Sequence, residues 1–430
     1  MKFWRSSLIF LFIVAISATV TGRLIYVQIM NFEFWRAFAQ GQQNIFENYF
    51  GERGEIFFSG DSLPVATNRD SYFVYLSVPE VEETEETLKF LSETLSLDEE
   101  FILGKLDNKE NLFAVLKYEL TDPEIENIEK QDLPGVHIEK KRERYYPQGE
   151  MASHVFGFVG ADGDGQYGLE DYYDDVLKGE EEFIMGERGP NGTFLFFPDE
   201  ESGIKGADLY LTIDYNMQFM AEKLLESAKN TLGIESGQII VMEPDTGKIL
   251  ALADYPNFDP NNYSEYVAQG GMEIFQNSVT QKIFEPGSAF KPITMAIGLE
   301  NKTVTPQTTY IDEGIRKFGG YTIYNYDGRK YGETTMTQVL EKSINTGAVF
   351  VEESLSHDVF LDYLEKFGFF EKSGIDLAET YSENNELRNG REVNFATASF
   401  GQGIEMNPIQ LVRAFCALAN GGKLVRPYLV

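Results

Sequence analysis

Residues from Ser6 to Gly22 carry no charge, Lys2 and Arg5 precede them, and Leu24 to Val27 continue the apolar tract past Arg23. A bilayer span needs roughly 20 apolar residues, and Arg23 can extend its charged head to the interface. The pattern predicts a transmembrane helix over 6–28 behind a cytoplasmic tail of residues 1–5. Basic residues on the N-terminal side orient such a helix so that everything after Met30 lies outside the cytoplasm. The small residues Ser17-Ala18-Thr19 also fit a cleaved signal peptide, but the apolar tract runs on past them and favours an uncleaved anchor.

After the anchor the pattern changes to short strand-like runs, such as Tyr72-Phe73-Val74-Tyr75-Leu76, alternating with acidic helical stretches such as Val81 to Leu97. Leu88, Leu91, Leu95 and Leu97 recur at near-helical spacing, which predicts one core-facing stripe. This α+β module is expected over 29–204. A glycine-bearing linker between Ile204 and Asp208 then opens a second module, 205–430. Within it, Gln238–Met242 and Lys248–Leu252 flank Pro244-Asp245-Thr246-Gly247 and predict a hairpin. Helices are expected around Met295–Leu299, Met336–Leu340 and Val359–Phe367.

At 430 residues, 43% hydrophobic and 14% aromatic, the chain can build sizeable cores. Sixty-nine carboxylates against 36 Lys and Arg give a formal charge of -33, which argues against a nucleic-acid partner. The single cysteine, Cys416, lies in an apolar helical pattern and has no partner for an internal disulfide. His137, His154 and His357 stand apart from one another and from any cysteine, so no metal or other cofactor is expected. Asp162-Gly163-Asp164-Gly165 resembles the start of a calcium loop but lacks the remaining spacing, and reads as a glycine turn.

The candidate chemistry lies in Phe284-Glu285-Pro286-Gly287-Ser288-Ala289-Phe290-Lys291-Pro292. Pro286-Gly287 reads as a turn opening a helix, and Pro292 is tolerable in a first turn, whose amides lack intrahelical partners. Ser288 and Lys291, three positions apart, then share one helix face, where a neutral amine can take the hydroxyl proton. The positive end of the helix dipole favours that neutral form. Alone, the spacing equally fits a solvent-facing helix start, and Ser202 and Lys205 repeat it in a glycine-rich loop. Ser343-Ile344-Asn345 adds a hydroxyl and a carboxamide that meet at one site if Ile344 turns away; otherwise it is a polar helix start. A relay hydroxyl and an amide that holds a peptide suit acyl transfer.

These motifs resemble those of the penicillin-binding protein and serine β-lactamase superfamily. Gly206–Asp214, Met242–Ala251, Ser399-Phe400-Gly401-Gln402-Gly403 and Asn407–Leu411 are similar to further transpeptidase segments. Arg53-Gly54-Glu55-Ile56, Arg144–Gly149 and Gly165–Glu170 resemble the N-terminal module of class B, the monofunctional transpeptidases. Phe284–Gly287 and Phe367-Gly368-Phe369 lean toward the cell-division branch.

The resemblance implies an α+β fold: a membrane anchor, an extended pedestal, and a transpeptidase domain with an antiparallel sheet flanked by helices. Two departures stand out. Phe57–Asp61 replaces the Asp-Arg pair usual after the Arg-Gly motif. No Lys-Thr-Gly or Lys-Ser-Gly strand appears in a fitting place, since Lys372-Ser373-Gly374 sits in a different family segment. The transpeptidase domain is therefore expected to be incomplete at its C-terminal end.

By the same resemblance, Ser288 is the nucleophile, Lys291 its base, Ser343 a proton relay and Asn345 a substrate-binding amide. The substrate is the D-Ala-D-Ala end of a peptidoglycan stem peptide, with β-lactams as covalent mimics. The expected partners are a membrane glycosyltransferase and other division proteins, at the outer face of the cytoplasmic membrane. A D,D-carboxypeptidase or β-lactamase would use the same nucleophile with water as acceptor. A penicillin-sensing receptor needs a signalling module that is not seen, and a non-catalytic division scaffold would draw on the missing third motif.

Overall fold

The computed structural model describes residues 44–50, 52–60, 63–78, 80–81, 85–106, 113–179, 181–187 and 205–430. The predicted anchor at 6–28 and Ser202 lie outside the described residues. Among those residues, no helix is long and apolar enough to cross a membrane. The chain falls into two compact units, Met1–Gly54 with Lys178–Ala207, and Glu55–Leu177 with Asp208–Val430. In the first, strands Asn44–Phe50 and Glu181–Glu187 pair antiparallel over seven residues each.

The second unit is organised around a long strand, Pro64–Ser77, which contains the predicted Tyr72–Leu76 run. Its Thr67–Leu76 part pairs antiparallel with Val136–Tyr145, and its far end pairs with Phe113–Lys117. Its near end pairs with Ile56–Phe57, which in turn runs parallel to Leu209–Tyr210. The acidic stretch folds as a helix over Glu85–Leu95, and Leu91 and Leu95 are buried with Leu88 and Leu97 packed against them. Period-3.6 spacing therefore marks the inward face of that helix.

The predicted hairpin forms from Gly237–Met242 and Ile249–Tyr255. Helix Tyr215–Leu232 lays Ala221 and Leu225 on Ala251 and Ala253 of that hairpin. Asp214 caps this helix by accepting the Met217 N–H at 2.9 Å. Helix Pro408–Ala419 buries Cys416, as its apolar pattern requires.

One hydrophobic core runs through both halves of this unit. It gathers Ile56, Phe58, Val155, Phe156, Phe158 and Leu169 with Ile249, Leu252, Phe258, Phe275 and Ile375. Phe158 stacks on Tyr263 at 4.4 Å between ring centres and meets Phe275 at 4.9 Å, while Phe258 meets Phe275 edge-on at 4.9 Å. Each such aromatic pair adds about 0.5–1.5 kcal/mol beyond its buried area.

Candidate active site

Ser288 lies in a 3₁₀ turn, Gly287–Phe290, that runs straight into the α-helix Lys291–Glu300. The local sequence dictates this start. Pro286 and Pro292 bracket the turn, and Phe290 drops into a core with Ile293, Ile297, Phe360 and Phe369. The preceding loop is tied down from outside. Phe284 and Met406 exchange both backbone hydrogen bonds, at 2.8 and 3.1 Å. Gly287 N–H donates to Gly401 O at 2.9 Å, and Gly403 N–H donates to a Glu285 carboxylate oxygen at 2.8 Å. At Gly401 the backbone φ is +81°, and a Cβ there would stand 2.1 Å from Gly287 O. Only glycine allows that approach.

Lys291 is buried, at 2% exposure, while Ser288 is exposed. Its Nζ stands 3.2 Å from Ser288 Oγ, 2.9 Å from Ser343 Oγ, 2.7 Å from Ser343 O and 2.8 Å from Asn345 Oδ1. Burial pushes the amine down to about 8. The Ser343 carbonyl and the Asn345 Oδ1 can only accept. A neutral amine has two N–H groups for those two oxygens, which leaves its lone pair for a hydroxyl. The arrangement thus accommodates the uncharged, basic form.

Ser343 occupies the joint between helices Met336–Glu341 and Asn345–Glu353, with φ at +53°. Ile344 turns into the core at 1% exposure, its N–H donating to Val339 O at 2.9 Å. Ser343 and Asn345 are therefore left on the same side, facing the amine. The Asn345 Nδ2 donates to Tyr324 O at 2.9 Å, which orients its Oδ1 toward Lys291.

Behind this turn lies a buried polar network that sequence reading missed. The Thr346 hydroxyl donates to Asp312 Oδ1 at 2.7 Å and its N–H to Asn325 Oδ1 at 3.0 Å. Asn325 Nδ2 reaches both Asp312 oxygens at 3.0 Å, and the Gly314 and Tyr331 amides donate to the same carboxylate at 2.9 and 2.8 Å. Burial acts to raise Asp312, but the Thr346 hydroxyl and these amides together hold its carboxyl below the usual range. The Asn325-Tyr326-Asp327-Gly328 turn signal was the one trace of this network in the sequence.

Lys372-Ser373-Gly374 is committed elsewhere. The Ser373 and Gly374 amides donate to the Glu379 carboxylate at 2.8 and 3.3 Å, and Gly374 O accepts from Arg426 Nε at 2.7 Å. None of these bonds reaches Ser288 or Lys291.

The fold and a serine–lysine–serine–asparagine cluster around one amine define the class of serine acyl-transfer domains. Two family models match the chain: the penicillin binding protein transpeptidase domain over 237–430 and the penicillin-binding protein dimerisation domain over 50–211. The chain belongs to the penicillin-binding proteins of class B. It is 31% identical to the stage V sporulation protein D of Bacillus subtilis (strain 168), over 99% of this chain and 66% of that protein. It is 28% identical to a peptidoglycan D,D-transpeptidase FtsI homolog of Mesostigma viride, over 100% of this chain and 73% of that protein. It is 26% identical to the peptidoglycan D,D-transpeptidase MrdA of Escherichia coli (strain K12), over 99% of this chain and 74% of that protein. The chain thus spans about two thirds to three quarters of these curated relatives. The crystal structure of penicillin binding protein 2X from Streptococcus thermophilus shares the fold, with a TM-score of 0.71 at 23% identity, over 90% of this chain and 60% of that one.

Proposed function

We propose that this chain acts as a peptidoglycan D,D-transpeptidase that works through an acyl-enzyme on Ser288. The observation that carries the reading is the placement of Lys291 Nζ among Ser288 Oγ, Ser343 Oγ and two fixed acceptors, in a site that lowers the amine to about 8. The named activity of the FtsI homolog and MrdA supports it.

In this reading Lys291 removes the Ser288 proton as Oγ attacks the carbonyl of a terminal D-Ala-D-Ala bond. The tetrahedral intermediate collapses, the C–N bond breaks, and D-alanine leaves with a proton returned through Lys291 and Ser343. An amine of a neighbouring stem peptide then attacks the ester, loses its proton along the same route and frees Ser288. The Ser288 backbone N–H, at the start of the helical turn, serves as an oxyanion donor; one such donor is worth about 10²–10³ in rate. Asn345 holds the donor peptide through the part of its amide not spent on Tyr324 and Lys291.

The predicted anchor over 6–28 tethers this chemistry to the outer face of the cytoplasmic membrane. The pedestal over 29–204 carries the transpeptidase module over 205–430, and the lean toward the cell-division branch points to septal wall synthesis beside a membrane glycosyltransferase. Labelling with a fluorescent penicillin tests the core of the reading. Covalent label that vanishes in Ser288→Ala supports the acyl-enzyme, and a folded protein that takes no label refutes it in favour of a scaffold.

A further inference from the structure

Asn345 adjoins an open strand edge. Strands Ile315–Phe318 and Tyr321–Tyr324 form an antiparallel hairpin, with Phe318 opposite Tyr321 and Ile315 opposite Tyr324. Gly319, at φ +57°, opens the two-residue turn between them. Packing settles the inner face of this hairpin. Ile323 is buried with Ala348 and Val349 of helix Asn345–Glu353, Phe318 packs against the same cluster, and Arg316 reaches Glu353 at 3.5 Å. Tyr324 has the opposite parity from Ile323 and is 59% exposed.

The hydrogen-bond pattern fixes what the edge presents. Asn325 N–H donates to Gly314 O at 3.1 Å, so these two residues form a hydrogen-bonded pair. Bonded and non-bonded pairs alternate along an antiparallel ladder, which makes Arg316–Ile323 a bonded pair and leaves Ile315–Tyr324 and Lys317–Thr322 non-bonded. The backbone N–H and C=O groups of Thr322 and Tyr324 therefore point away from the hairpin. Tyr324 O accepts the Asn345 amide at 2.9 Å. Among the described residues, no further strand pairs with this edge, and Thr322 N–H, Thr322 O and Tyr324 N–H have no protein partner. Thr322 is partly exposed and Tyr324 exposed.

Donors and acceptors in this alternation match the backbone of an extended peptide, which binds a sheet edge through main-chain hydrogen bonds. The position of the edge selects the peptide. Asn345, bonded to Tyr324 O, also holds Lys291 Nζ at 2.8 Å, and that amine lies 3.2 Å from Ser288 Oγ. A strand added here thus runs directly into the catalytic cluster. We propose that the open edge of strand Tyr321–Tyr324 receives the donor peptide as a third strand, its backbone pairing with Thr322 and Tyr324. This inference rests on the acyl-transfer reading and identifies the surface that aligns the donor beyond Asn345.

The test is ligand-observed saturation-transfer NMR of the Ser288→Ala chain, which cannot turn over, titrated with a pentapeptide ending in D-Ala-D-Ala. Saturable transfer is expected. Thr322→Pro removes one outward N–H and no ladder bond, a substitution that an edge strand tolerates, and should weaken binding about tenfold. The same pentapeptide N-methylated at its backbone amides should bind the unsubstituted edge as weakly, which keeps the proposal testable if Thr322→Pro fails to fold. A peptide lacking the D-Ala-D-Ala end should bind more weakly than the pentapeptide. Absence of saturable transfer, undiminished binding by folded Thr322→Pro or by the N-methylated peptide, or equal binding of the shortened peptide would overturn the proposal. Fluorescent-penicillin labelling of the chain with Ser288 intact separates the two readings: label without edge binding removes this inference alone, and no label removes the acyl-enzyme beneath it.

Discussion

The amine of Lys291 sits nearer to the backbone oxygen of Ser343, at 2.7 Å, than to the Ser288 hydroxyl it is proposed to deprotonate, at 3.2 Å. The base is therefore held by the neighbouring turn and aimed at the nucleophile. Its basicity and its position have the same origin, burial against the Ser343–Asn345 segment.

That arrangement sets a pH dependence. Burial lowers the amine to about 8, so the neutral, basic form is scarce at pH 6 and predominates above 8. The second-order rate of acylation by a penicillin should climb with pH through this window and level off above it. Lys291→Arg keeps a charge that does not titrate there and should lower the rate by about 10²–10⁴, measured by stopped-flow labelling.

Thr346 connects the active-site turn to the buried carboxylate of Asp312, and the Tyr310 hydroxyl lies 3.1 Å from the same Oγ1. Thr346→Val should leave these groups underpaired and cost about 1–3 kcal/mol in urea unfolding. The penicillin labelling rate should fall as well, because the Asn345 amide loses its backing. An unchanged labelling rate with the expected loss of stability would show that the network is purely structural.

Gly401 touches the nucleophile loop with no room to spare. Gly401→Ala places a Cβ within 2.1 Å of Gly287 O and strains a backbone at φ +81°. A loss of about 1–3 kcal/mol is expected in thermal or urea unfolding. Labelling of Ser288 should drop more than that of a variant with equal destabilisation far from the loop.

Glu352 carries a stability effect of the opposite slope to that of a paired carboxylate. Burial, then the nearby Glu353 and Glu392, raise its carboxyl from the ordinary 4.5 to about 7. His357 Nε2 approaches its Oε1 at 3.6 Å without bonding it. A folded value above the unfolded one means that the folded state binds the proton more tightly, so this contribution is complete below about 4.5 and lost as pH rises through 7. Glu352→Gln should flatten that part of the stability–pH curve measured by denaturant unfolding.

How much of this was legible depends on sequence distance. Ser288 and Lys291 are three residues apart on one helical turn, so their meeting follows from local geometry. The Ser343–Asn345 pair was half legible: an apolar Ile344 signals a residue that faces inward, but nothing in the sequence marks Ser343 for a left-handed backbone. Asp312, Asn325 and Thr346 come from three separate elements and meet through tertiary packing alone. The hairpin at 237–255 and the Leu91–Leu95 stripe were legible because alternation and helical period are local properties. The aromatic core was not, since its rings come from segments about a hundred residues apart.

That core limits how modules of this family can be exchanged. A chimera joined near residue 205, where the composition suggests a seam, would sever Phe156 and Phe158 from Phe258 and Phe275. Foreign rings would then have to fill a mould shaped by both halves at once. The chemically sensible exchange unit carries the 146–177 stretch along with the hairpin it packs against, although a linker in sequence stands between them.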